Sequence, residues 1–470
     1  MGERAEAQGD VPAAFAERAA RVSLSGGQVA VVLVIGTGLC AAAWADADLT
    51  SVLMVFVIQI GFLAAAAWRS LLLAASVRAT PITAPRKFDL PRYTILVALF
   101  DEAPVLAQLV ERLGQIDYPT DRLEGFLVLE ADDYETQAEA QDLDLPAWLT
   151  VLIAPVGTPR TKPRALNVGL ARATGDFLTV YDAEDDPDPL QLREAAARFA
   201  DDAEGTLWAV QAPLRVRTPI RTESPFLDRQ FAIEYAALFE VTLPGLARLG
   251  LPFPLGGTSN HFRVDALRAV GGWDAHNVTE DADLGFRLWR AGGRLGVIAR
   301  PTYEPPPGGL EHWLPQRTRW LKGFMQTWGV HTRDVRGLGW RGGLSLTMTL
   351  GTAIVAAAVH AVTLAWLVAT VAIAMAAELA PATPAFAATV LLTGAVAAWV
   401  NAAIGCRRAG LDYTLADMLS APAYWSLLSL AFLHAVWRLI REPFTWDKTA
   451  HQADPSDGLE PIASAGREAA

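Results

Sequence analysis

Five stretches without Asp, Glu, Lys or Arg, gathered at the two ends of the chain, constrain the fold more than any other feature. Hydrocarbon offers no partners for backbone polar groups, so such stretches cross a bilayer as helices of roughly 20 apolar residues. Val22 to Ala45 and Leu49 to Trp68 predict a tight pair of spans, each ending near a tryptophan, Trp44 or Trp68, suited to the headgroup zone. Gly342 to Ala377, Leu379 to Cys406 and Met418 to Trp437 form the second group. The first of these is 36 residues long, enough for an interfacial helix followed by a span or for two spans. The Val22 run exceeds a signal-peptide core and a second run follows at once, which predicts retained anchors.

Composition agrees. With 52% hydrophobic residues, 19% charged residues and a mean hydropathy of +0.24 over 470 residues, the chain is too apolar for an ordinary soluble enzyme. Its net charge is -12 and it has no Lys/Arg-rich run, which argues against a nucleic-acid partner. Cys40 and Cys406 lie in apolar runs without a C-x-x-C, which excludes a disulfide scaffold and a zinc ribbon.

Arg69, Arg78, Arg86, Lys87 and Arg92 follow the second span, whereas the short loop before it has no basic residue. The positive-inside rule therefore predicts a cytoplasmic domain after the first pair of spans, a cytoplasmic N-terminus and a multi-pass location in the inner (plasma) membrane. Arg407 and Arg408, and then Arg438, Arg441 and Lys448, point to the same side across one intervening span, so C-terminal parity stays open. The expected organisation is an N-terminal segment (1–21), two transmembrane helices (22–78), an α/β domain (79–341), transmembrane or interfacial helices (342–440) and a polar tail (441–470).

Residues 79–341 alternate short β-rich segments with helical ones, the pattern of a largely parallel α/β sheet. Tyr93 to Leu99, Phe126 to Leu129 and Phe177 to Tyr181 are expected strands, Pro104 to Leu113 a helix, and Asp188-Pro189 the start of a helix through Phe199. Ligands of open α/β sheets bind beyond the carboxyl ends of strands. Acids cluster there twice: Asp132 and Asp133, then Asp182, Glu184, Asp185 and Asp186. Oxygen ligands at this spacing can hold Mg²⁺ or Mn²⁺ against a diphosphate. A solvated, helix-capping acid run is the alternative reading of the same pattern.

KPRALNVGLARATGDFLTVYDAE, GGTSNHFR, VGGWDAHNVTEDADLGFRLWRAGG and QRTRW follow one another in that order. In these motifs the chain resembles the membrane-embedded family 2 glycosyltransferases, the group of cellulose, hyaluronan and β-glucan or mannan synthases, over about residues 93 to 325. The resemblance implies a GT-A fold inserted between transmembrane helices, and transfer from a UDP- or GDP-sugar with Mg²⁺ or Mn²⁺ as cofactor. Residue by residue it implies that Glu102, Asp132 and Asp133 contact the nucleoside, and that Lys162 lies near the diphosphate with Arg319. Asp182 and Glu184 would hold the metal, and Asp281 would be the general base. Glu280, Gln316 and Trp320 would face the acceptor. Two departures stand out: Ala98-Leu99-Phe100-Asp101 replaces the usual strand ending, and Glu184 replaces the second aspartate of D-x-D.

In-line attack would invert the anomeric centre and give a β-linkage, an outcome implied by the resemblance. Trp320 offers a face for a sugar ring, or serves as a membrane-belt residue. Phe444, Trp446 and Lys448, in the segment to His451, loosely resemble a gating segment; an interfacial anchor is the alternative. The leading expectation is an inverting transferase extending a polysaccharide at the membrane. Transfer of one sugar to a lipid-linked or other membrane acceptor is the second, and a non-catalytic receptor or export component on the same scaffold the third. The expected partners are the nucleotide-sugar, a saccharide or lipid-linked acceptor, and membrane lipids.

Overall fold

The computed structural model describes residues 19–21, 24–79, 90–217, 223–376 and 382–445, without the side chains of 382–387. Two helices, α1 (Gly26–Ala45) and α2 (Ala47–Ala75), precede the α/β domain, and Asp46 caps the second through Leu49 N at 2.9 Å. The domain opens with β1 (Tyr93–Leu99), α3 (Ala103–Gly114), β2 (Leu123–Glu130), α4 (Tyr134–Asp142), β3 (Leu149–Ala154), α5 (Lys162–Arg172) and β4 (Phe177–Tyr181). It continues through β5 (Asp186–Pro187), α6 (Gln191–Ala200), β6 (Leu207–Gln211), β7 (Leu214–Val216), α7 (Pro225–Ala237), β8 (Asn260–Arg263), α8 (Glu280–Arg290), β9 (Arg294–Val297) and β10 (Thr302–Glu304).

The large sheet runs β3-β2-β1-β4-β8-β6-β9, parallel except for β8, which is antiparallel to both neighbours. β1 and β4 lie at its centre, and helices cover both faces. That is why YTILVAL and FLTVY read as unbroken apolar runs rather than alternating ones. The sequence-expected bounds of these two strands match. The helix expected to start at Asp188-Pro189 begins instead at Gln191, because Asp188 turns the chain before it by accepting Leu190 N at 2.9 Å and binding Arg300 Nη1 at 3.0 Å. A small sheet, β5-β10-β7, carries Glu304 up beside the acids that follow β4.

After the domain come α9 (Leu310–Thr332), α10 (Val335–Leu346), α11 (Thr352–Ala376), α12 (Ala382–Ala409) and α13 (Leu415–Arg441). α10 and α11 are joined through a π-helical turn at Thr347–Gly351, so the run from Gly342 is one rod through Ala376 rather than two spans. Gly339, with φ 68°, breaks the helix near the start of α10. Among the described residues, five helices are long and apolar enough to cross a membrane: α1, α2, the α10–α11 rod, α12 and α13.

α13 follows α9 along its length: Trp313 Nε1 donates to Tyr424 Oη at 3.1 Å, Thr318 pairs with His434 at 3.1 Å, and Lys322 Nζ donates to Thr445 O at 2.8 Å. Both ends of α13 return to the α/β domain, through Asp417 on Arg229 of α7 and through Phe444 edge-on to His276. Gly405 of α12 sets the docking distance on the domain, since a Cβ there would lie 2.5 Å from Ala236 O.

Candidate active site

Asp182, the first residue past the central strand β4, stands where the sheet topology opens a crevice. Its carboxylate accepts a hydrogen bond from Lys162 Nζ, which also donates to Gly257 O at 2.8 Å. Lys162 opens α5, and Pro163 sets the first turn of that helix. Burial would lower the ammonium's pKa, but the Asp182 and Glu280 carboxylates hold it above its usual value. Asp185 is wholly buried; one carboxylate oxygen accepts Asp182 N at 2.8 Å and the Thr258 hydroxyl, while the other has no hydrogen-bond partner among the described residues. Burial first, then the charges of Asp182 and Glu184, push Asp185 well above the carboxylate range. Glu304 is raised for the same reasons, with Asp185 its strongest neighbour.

Asp281 sits in the first turn of α8, facing the same space from the opposite wall. A Cβ on Gly257 would lie 3.6 Å from Asp281 Oδ2, 3.9 Å from Asp182 Oδ2 and 4.0 Å from Lys162 Nζ, so the glycine marks the point where the three groups converge. Burial raises Asp281 to about 6, opposed by the Ala282 N–H (2.8 Å) and the charges of Lys162 and Arg319. Its neighbour Glu280 is raised further, to about 8, by burial and by Asp281 itself. Burial raises both carboxyls, and the two titrate as a pair.

α8 is held rigidly. Asp283 is only 1% exposed and accepts Arg287 Nε at 2.6 Å; Arg287 also donates to Val270 O and Gly272 O, and His331 Nε2 lies 3.0 Å from Asp283 Oδ1. Burial would raise Asp283, yet Arg287 and His331 hold it down to about 2. Asp283 is thus a helix anchor, while Asp281, two residues earlier, turns to the cavity.

α9 supplies the third wall with Gln316, Arg319 and Trp320. Arg317, between them, stacks over Trp320 with its guanidinium carbon 4.3 Å from the ring centroid, and over Phe231 at 4.8 Å. It pairs with Glu234 at 2.7 Å, and Tyr424 Oη donates to the same carboxylate at 2.7 Å. One face of the Trp320 indole is therefore taken by Arg317, and Tyr235 packs nearby at a centroid distance of 6.2 Å.

Of the residues expected from sequence, Glu102, Lys162, Asp182, Glu184, Glu280, Asp281, Gln316, Arg319 and Trp320 line one cavity of about 990 Å³. Asp132 and Asp133 do not. Asp133 caps α4 through Thr136 N at 3.2 Å, and Asp132 pairs with Arg160 at 2.7 Å near the cavity mouth. Sequence reasoning missed Glu304, Glu234 and Arg317, which come together only through the small sheet and the α7–α9 contact. Arg317 alone had a local signal, as the second residue of Q-R-T-R-W. Of the C-terminal segment, Phe444 touches His276, whereas Trp446, Lys448 and His451 lie outside the described residues.

The acids after β4 suit a divalent cation bound together with a substrate diphosphate. Mg²⁺ and Mn²⁺ in such sites take one or two carboxylates and fill their remaining positions with phosphate oxygens and water. Among the described residues no three His, Cys, Asp or Glu side chains form a closed metal cage. Asp182 and Glu184 at the cavity wall, backed by the unsatisfied oxygen of Asp185, form such a partial set.

Models of "Glycosyl transferase family group 2" and "Glycosyl transferase family 2" match residues 177–401 and 94–249. The chain is 30% identical over 288 residues to the β-monoglucosyldiacylglycerol synthase of Synechocystis sp., covering 57% of each chain. It is 27% identical over 250 residues to the UDP-forming cellulose synthase catalytic subunit of Komagataeibacter sucrofermentans, covering 52% of this chain and 32% of that one. The chain spans about half the length, or less, of the curated relatives it matches. The mannosyltransferase PcManGT of Pyrobaculum calidifontis, solved with GDP-Man and Mn²⁺, is similar in fold at a TM-score of 0.50 and 20% identity, over 87% of this chain and 98% of that one.

Proposed function

We propose that this chain, which carries the family 2 glycosyltransferase domain on a GT-A-like fold with a mixed sheet, transfers one sugar from a nucleotide-sugar to the hydroxyl of a membrane lipid, forming a β-linkage. The observation that carries this reading is the shape of the cavity. From Asp182 and Asp281 it continues between α2, α11 and α12, where aliphatic residues such as Ala353, Leu364, Leu391, Leu392, Ala395 and Ala398 make up most of its wall. A sugar chain needs hydrogen-bond partners and aromatic faces along its path, whereas an acyl chain needs an aliphatic wall. Aromatic groups also line the membrane part at Phe62 and Trp399, and they cluster near the reaction site at Tyr235, Trp320 and Tyr424. That local cluster favours the second reading, polymer extension, and also suits a single sugar held beside the base.

Asp281 takes the proton of the acceptor hydroxyl as the new bond forms, and its position near the bottom of the neutral range suits that task. Lys162 and Arg319 face the charge that grows on the leaving diphosphate. Lys162 already neutralises Asp182, so diphosphate binding redistributes an ion pair instead of creating one. A divalent ion on Asp182 and Glu184 would supply further compensation for the diphosphate. Burial and the neighbouring acids raise Asp185 and Glu304, which disfavours further negative charge beside the donor.

The contacts of α13 support a four-span arrangement. A helix whose two ends both rest on the α/β domain lies along the membrane face, and α9 beside it does the same. α1 begins at α9, where Gln28 Nε2 donates to Gly329 O at 2.7 Å, and α12 ends where Arg408 reaches Ser76 Oγ at 2.9 Å. α1 with α2, and the α10–α11 rod with α12, then form two hairpins that return to the domain side. The basic residues after the second span support a cytoplasmic position for that side.

Nucleoside diphosphate release from a panel of UDP- and GDP-sugars, by the full chain in vesicles, tests the reading. Release is expected to depend on membrane lipid and to ignore added oligosaccharide. Stimulation by soluble saccharide alone would overturn it.

A further inference from the structure

We infer that the membrane part of the cavity is a site for a lipid carrying an anionic phosphate, with Arg69 of α2 as the phosphate ligand and the cleft between α11 and α12 taking the chains. Arg69 lines the cavity, and among the described residues no carboxylate pairs with it. α2 ends at Ser76, which bonds Arg408 of α12, so these two residues share a level. Arg69 and Asn401 each lie seven residues earlier on their helices and therefore share a second level, about 10 Å deeper at 1.5 Å per residue. Asn401 lines the cavity there, and His360 of α11 is a third polar group on its wall, its Nε2 without a partner among the described residues. Beyond this belt the wall is mainly aliphatic, with Phe62 and Trp399 as its aromatic members.

A guanidinium at headgroup depth with no counter-charge is costly, and a phosphate diester is the anion a membrane supplies at that level. Arg is suited to it because its planar fork binds two phosphate oxygens at once. A neutral diacylglycerol would fill the same cleft and leave Arg69 uncompensated. The inference deepens the lipid-acceptor reading and rests on it only in taking the bound lipid to be the acceptor.

The test needs no donor sugar. The full chain is reconstituted in nanodiscs of phosphatidylcholine with equal parts of phosphatidylglycerol and diacylglycerol, then extracted, and the retained lipids are measured by mass spectrometry. Wild type should retain phosphatidylglycerol in preference to diacylglycerol, and Arg69→Gln should lose that preference by about tenfold or more, the usual effect of unpairing a desolvated charge. Arg69→Lys, which keeps the charge, should keep part of it and guards against a folding artefact. Ala395→Trp, which fills the cleft, should reduce retention of both lipids. Equal retention of phosphatidylglycerol by wild type and Arg69→Gln, or diacylglycerol preferred by wild type, would overturn the inference. Selective retention by a chain that makes only polymer would leave the site standing and sink the lipid-acceptor reading.

Discussion

Asp281 and Asp283 show how two acids on one helix, two residues apart, acquire opposite tasks. Asp283 is held near 2 by Arg287 and His331 and stays ionised, whereas Asp281 is raised to about 6 and can exchange a proton. The folded-state pKa of Asp281 is raised, so the base form accumulates as pH rises through that value. kcat/KM is expected to climb about tenfold per pH unit below 6 and level off above it. Asp281→Asn should lower transfer by about 10²-fold or more at pH 7, the usual contribution of general-base catalysis, while donor affinity changes little. Near-normal turnover of that variant would remove Asp281 from the chemistry. Asp182 is tested by chelation: activity should vanish with a chelator and return with Mg²⁺ or Mn²⁺, and Asp182→Ala should weaken donor binding by calorimetry. Glu184→Ala should be milder if Glu184 would hold the ion less directly than Asp182; full activity in excess chelator would discard the assignment.

At the scale of elements, legibility followed burial on both faces. β1 and β4 were readable to the residue because central parallel strands need unbroken apolar runs, while the acids that follow them need none. Asp133 caps α4 and does not line the cavity, and a helix-capping aspartate and a ligand-binding one share the same place after a strand in the sequence. Glu304 was illegible for another reason: a three-residue strand has no periodicity, and only its pairing with β5 and β7 brings it to the site. The Met418–Trp437 run read as a span and lies in α13, which is long and apolar enough for one; its Tyr424 and His434 bond to α9, and these polar side chains along a charge-free helix are what the proposal of a helix on the membrane face rests on. Close packing of α12 on α7 is testable at Gly405. A methyl 2.5 Å from Ala236 O forces the helices apart, so Gly405→Ala should cost about 1–3 kcal/mol and lower the melting temperature of the solubilised chain. An unchanged melt would show that this contact does not hold the domain to the membrane helices.

For the whole molecule, the proposed arrangement of two membrane hairpins and two helices on the membrane face would place Asp182 and Asp281 over a largely apolar cleft. Cysteine labelling in a background without Cys40 and Cys406 should place Asp412→Cys and Glu442→Cys on one face and Asp46→Cys on the other. Labelling of Asp412→Cys and Glu442→Cys from opposite faces would make α13 a span. The central claim, transfer of one sugar to a lipid, is tested most directly by the product itself. Membranes containing the full chain, incubated with labelled nucleotide-sugars, should yield one organic-extractable glycolipid bearing a single β-linked sugar, absent with Asp281→Asn. Label in a high-mass, lipid-free polymer would contradict the account.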